Sequence, residues 1–139
     1  MDTSIFSNLD WLHILVAALA YFILGAIWYS PLFGKQWIAY QKIDMNDPEA
    51  KKGAATIMIF SFIWMIVTTI GLAILVYRLD LTTAMSGIKL GLLTGVCFSF
   101  AAISVTYLYI KKPLGLHLID GLYHVVGQIA AAVILCVWQ

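Results

Sequence analysis

Four residues near the C-terminus, His117, Asp120, His124 and Gln128, carry the side chains in this sequence best suited to chemistry. At 100° per residue on a helix they fall within about 80° of one another and climb roughly 16 Å along its axis. The stretch around them is apolar, so the helix would bear a carboxylate, two imidazoles and an amide as one polar stripe. In hydrocarbon such groups cost several kcal/mol unless paired, and they usually face other helices or a water-filled cavity. A stripe of this kind can relay protons or line a path for a small polar solute. Asp120 and His124, at i and i+4, can also share a hydrogen bond or supply one edge of a metal site. A full metal site would need further ligands from other helices or subunits, and His13 enters from the opposite face. The bland alternative is an interhelical ladder that only fastens the helices, at about 0.6–2 kcal/mol per contact. Gly121 and Ala131 lie beside the stripe and admit a close neighbour.

The elements that must hold this stripe are set by hydropathy. The chain has 139 residues, of which 63% are hydrophobic and 11% charged, and its mean hydropathy is +0.95. A soluble domain carries about a quarter charged residues to coat its core. Here the charges collect in short segments between four apolar runs, at about 11–29, 54–77, 85–110 and 116–138. Each run suffices for a helix to cross about 30 Å of hydrocarbon. Alternating ten-residue strands, the barrel pattern, are missing. The expected fold is therefore all-α, an integral membrane four-helix bundle forming one domain, with Ser30-Pro31 ending the first span and 30–53 as a cytoplasmic loop.

The lysines orient it. Lys35, Lys42, Lys51, Lys52, Lys111 and Lys112 fall in the first and third loops, against Arg78 and Lys89 on the terminal side. This asymmetry predicts that loops 1 and 3 are cytoplasmic and both termini lie outside. Met1 to Asp10 has two aspartates and no basic residue, so the first span should stay as an anchor rather than be cleaved. In loop 1, Leu32 to Ile43 mixes aromatic residues with lysines and suits a short helix lying in the interface. Asp47-Pro48-Glu49 reads as a helix start, so the second helix should begin a turn or two before the membrane. A net charge of +1 argues against nucleic acid as a partner.

Outside the stripe, Tyr21 sits in mid-span at a depth matching His124 and Gln128, and its hydroxyl should bond across to them. Trp64 at the centre of span two reads as lipid-facing or core packing. Span three opens Gly87-x3-Gly91-x3-Gly95-x3-Ser99, a groove of small residues where another helix can pack backbone to backbone. The partner could be span one, span two or the same helix in a second copy, which would give a means of dimerising. Lys89 can snorkel to the outer interface. Cys97 and Cys136 lack zinc or CxxC spacing and read as small hydrophobes. Gly34-Lys35 lacks the phosphate-loop frame. No catalytic motif supports an enzyme, and no catalytic residue or resident cofactor is expected.

The run Ala26-Ile-Trp28-Tyr29-Ser30-Pro31-Leu32-Phe33-Gly34-Lys35-Gln36-Trp37 is the most distinctive part of the chain. Together with the four spans and the late Asp120-Gly121 segment, it resembles an uncharacterised family of small bacterial membrane proteins. The resemblance implies a four-helix protein of the bacterial inner membrane and supplies no activity or site residue. A fainter echo, Pro31-Leu32…Gly34 against Pro113-Leu114-Gly115, raises two readings, duplicated hairpins or ordinary helix-ending punctuation. By topology, Tyr29, Ser30, Lys35 and Trp37 could cover the mouth of the His117/Asp120/His124 stripe. The expected protein is a homo-oligomer, a dimer among the options, embedded in the lipid bilayer. It would handle a small solute or protons, with a membrane scaffold or accessory subunit as the rival and, third, a metal- or haem-binding redox protein whose ligands the chain does not visibly provide.

Overall fold

The structure, a computed structural model, describes residues 3–138. A 3-10 turn, Thr3–Ser7, leads into α1, Trp11–Ile27, whose start is capped by the Asp10 carboxylate. Its Oδ1 accepts from the backbone N–H groups of Leu12 at 2.9 Å and His13 at 3.2 Å. Four segments are long and apolar enough to cross a membrane: Trp11–Leu32, Pro48–Arg78, Ala84–Tyr109 and Leu114–Val137. No strand occurs among the described residues. The protein is an all-α membrane bundle.

Two of the spans are not regular α-helix. Pro31 does not stop span one, as its sequence suggests; the helix widens into a π-turn, Trp28–Leu32, and ends after it. Proline lacks an N–H and its ring crowds the carbonyl four residues back. The wider turn relieves both, and the Phe33 N–H closes it on the Trp28 carbonyl at 2.9 Å. Span three is likewise α4 (Ala84–Thr94), a π segment (Gly95–Phe100) and α5 (Ala101–Tyr109). The short helix expected in loop 1 is present as α2, Gly34–Gln41. Asp47 caps Pro48–Lys51, but this is an isolated 3-10 turn. Gly53, at φ +77, breaks the chain before α3, Ala54–Arg78, so the second span does not project continuously into loop 1.

The centre of the bundle is α6, Leu114–Val137, which carries by far the most buried residues. Span three packs along one side of it, while α1 and α3 pack on α6 and on each other. The glycines of span three explain the first contact. A methyl on Gly87 would meet the Val133 backbone, one on Gly91 the Ile129 backbone, and one on Gly95 the Val125 Cα. The two helices touch backbone to backbone, which is how helices gain packing where lipid is as apolar as a side chain. The partner of the ridge is therefore span four of the same chain. The ridge is thus occupied within the chain.

On the other side, α3 joins the bundle only through its second half. Thr69, Leu72, Ala73 and Val76 are buried, whereas every residue from Ala54 to Phe60 is exposed. The first half splays from α1 and leaves a wedge between them. At the far end, Ile5 and Leu9 close the bundle from outside the spans.

Candidate functional site

The polar stripe of α6 lies on the seam between span one and span three, and each of its rungs meets a different partner. Asp120, 7% exposed, accepts from two phenols. The Tyr29 hydroxyl donates to Oδ1 at 2.6 Å and the Tyr107 hydroxyl to Oδ2 at 2.5 Å. The first donor stands on the π-turn of span one and the second on α5. No lysine or arginine among the described residues pairs with this carboxylate. The π-turn also aims Trp28, whose Nε1–H donates to the Ile119 carbonyl at 2.9 Å, beside Asp120. An irregular turn thus orients two consecutive aromatic residues toward α6, in keeping with the tendency of π-turns to mark functional positions.

One turn deeper, the Tyr21 hydroxyl and His124 Nδ1 are 2.5 Å apart. With the phenol as donor, the neutral imidazole carries its proton on Nε2. Gln128 takes the last rung, its Nε2 donating to Ser99 Oγ in the π segment of span three. His117, at the start of α6, faces the Lys112 carbonyl at 3.3 Å and the edge of the Tyr107 ring. Tyr123 holds the rungs apart, its ring packed against Tyr21, Tyr29 and His124.

Beside the stripe, the wedge between α1 and the splayed half of α3 forms a cleft of about 700 Å³. Tyr21, Tyr29, Tyr123 and His124 contribute its polar side, and Phe22, Met58, Trp64 and Met65 its apolar walls. That volume falls within the range of small-molecule sites.

The sequence candidates divide accordingly. Tyr21 and Tyr29 reach the stripe. Trp37 stands edge-on to the Tyr29 ring at 5.7 Å and Ser30 lines the cleft. Lys35 is exposed and lines neither the cleft nor the Asp120 pair of phenols. Trp64 is two-thirds exposed on the cleft wall, and Lys89 is exposed in the first half of span three. His13 stacks on Trp138 at 4.2 Å and lies near Asp10, at the end of the bundle away from Asp120. Both cysteines are free. Among the described residues no group of three or more His, Cys, Asp or Glu stands close enough to hold a metal ion.

Sequence reasoning missed Tyr107, which reads as an interface aromatic, and the bond that Ser99 makes. It also passed over Ser104, whose hydroxyl is buried three residues from Tyr107 without a partner among the described residues. Tyr109, two residues beyond Tyr107, is 86% exposed and makes no bond to Asp120.

Tyr21 is held in place by Gly127, because a methyl there would fall inside its ring. Gly127→Ala is expected to cost about 1–3 kcal/mol by overpacking, more than the roughly 1 kcal/mol of Tyr21→Phe, which removes only the hydroxyl. Reversible unfolding of both variants in bilayer discs measures the difference; equal losses would mean that Tyr21 moves aside freely.

Comparison with curated proteins and with solved structures found no match. A family model does match, over residues 12–136, and so covers all but one end residue of the first and last spans and the whole candidate site. The chain belongs to the family described as protein of unknown function (DUF1761).

Proposed function

We propose that this small membrane protein handles protons or a small solute inside the bilayer, with Asp120 and His124 as its working groups. Tyr29 carries the reading. Its hydroxyl bonds the Asp120 carboxylate while its side chain lines the cleft, so whatever enters the cleft meets a group already coupled to a buried acid. A carboxylate at membrane depth, held by phenols and by no cation, is a recurrent element of proton and solute paths. The lysine asymmetry supports an orientation in a bacterial inner membrane with loops 1 and 3 cytoplasmic and both termini outside. Should a second copy complete the path, it must meet the chain elsewhere than on the glycine ridge.

Proton uptake by proteoliposomes under an imposed potential tests this. Asp120→Asn keeps the shape of the side chain but cannot take up or release a proton at ordinary pH, and uptake should fall at least about ten-fold. Cys97→Ala, at an exposed position in span three, serves as the control. Uptake by Asp120→Asn equal to that of the unmodified protein would sink the proposal.

A second reading, a scaffold or accessory subunit in which the stripe only fastens the spans, is favoured by Gln128. That residue is 3% exposed, does not line the cleft and is bonded to Ser99. On this reading Asp120→Asn is tolerated, and Gly91 and Gly95 are the sensitive positions.

A further inference from the structure

We infer that the cleft between α1 and the splayed half of α3 binds an uncharged amphiphile that enters sideways from the bilayer. Its hydrogen-bonding head would sit on His124 and Ser61, and its hydrocarbon part between Phe22, Met58, Trp64 and Met65. This rests on the solute-handling reading for its site, not for its ligand, and three observations carry it.

First, the lining holds no lysine, arginine, aspartate or glutamate. An ion at membrane depth without a countercharge is heavily penalised. The nearest carboxylate, Asp120, lies behind Tyr29 and has both oxygens taken by phenols. The head group is therefore neutral.

Second, the polar atoms on the cleft are not all taken. Ser61 Oγ makes no hydrogen bond with the described residues. His124 uses Nδ1 for Tyr21 and keeps Nε2 for another partner. His124 and Ser61 both line the cleft, and with Nε2 protonated their imidazole N–H and hydroxyl offer a donor and a donor-acceptor that suit a hydroxyl or carbonyl head.

Third, the apolar wall is open to the side. Met58 is 59% and Trp64 67% exposed, because the first half of α3 leaves the bundle. A purely polar solute would leave the thioethers and aromatic rings of that wall unmatched. A hydrocarbon chain would match them and continue into lipid, and methionine adapts readily to such a chain.

The test uses three photoactivatable probes that share one diazirine-bearing hydrocarbon chain and differ in head: an alcohol, a quaternary ammonium and a sulfonate. Full-length protein in phosphatidylcholine discs is irradiated with each, and the modified residues are located by mass spectrometry. The alcohol should label 22–26 and 58–68 saturably, at least about ten-fold more than either charged probe. Ala26→Trp, which fills the cleft from α1 without removing a hydrogen bond, should abolish that labelling. Ser61→Ala should weaken it about five-fold, the worth of one hydrogen bond. Labelling spread evenly over the lipid-facing surface, labelling unchanged by Ala26→Trp, or equal labelling by a charged probe would overturn the inference. Saturable labelling without proton uptake would retire a proton-handling function and leave this site standing. Proton uptake without saturable labelling would do the reverse.

Discussion

Replacing Gly91 with alanine is expected to destabilise the bundle by about 3 kcal/mol, the upper part of the range for overpacking. The added methyl would lie against Ile129 Cα and N and the Gln128 carbonyl carbon, all backbone atoms of a buried helix. No rotamer change can make room, so α4 must lift from α6 along the whole ridge. Membrane helices associate through such packing rather than through a hydrophobic gain over lipid, and a small separation loses many contacts at once. The same lift would pull Ser99 from Gln128, two turns further along span three. Gly71→Ala is the natural comparison, because a methyl there meets nothing within 4 Å. It should be neutral or slightly stabilising, since alanine is the better helix former. Unfolding of the two variants in bilayer discs gives the answer; equal stability would mean that span three does not pack on α6 this closely.

Asp120→Ala should cost a similar amount, about 3 kcal/mol, for a different reason. The substitution removes two interhelical hydrogen bonds, each typically worth about 0.6–2 kcal/mol in a membrane protein. It also leaves the Tyr29 and Tyr107 hydroxyls facing one another across the gap. An unsatisfied polar group in apolar surroundings costs more than the bond that satisfied it gained. Adding Tyr29→Phe and Tyr107→Phe to Asp120→Ala should therefore restore part of the stability, although each is destabilising alone. The triple variant being less stable than Asp120→Ala would mean that the two phenols are satisfied elsewhere.

These two effects mark what can and cannot be read from residues alone. The spans were legible because hydrocarbon imposes a length and excludes charge, and the α6 stripe because four polar residues at helical spacing need partners there. Depth matching placed Tyr21 beside His124. The helix partners were not legible in the same way. Lipid and protein interior are equally apolar, so Ala54 to Phe60 reads the same whether it packs or splays. The glycine ridge announced close packing without naming α6 as the partner. Both π-turns escaped because they leave no period in the sequence. The proline at 31 instead suggested an end, where the structure uses it to rotate Trp28 and Tyr29 onto α6. Tyr107 was hidden by its position near the end of span three, where aromatic residues are common interface markers.

The joint between the cleft and the buried acid is the Tyr29 hydroxyl, and its removal is the most direct trial. Tyr29→Phe keeps the ring in the cleft wall and takes away only the donor to Asp120. Its proton uptake in proteoliposomes should fall at least about ten-fold, while the fold and the alcohol-probe labelling of the cleft persist. Uptake at the rate of the unmodified protein would contradict a working connection between the two and leave the Tyr29–Asp120 bond as a fastening between helices.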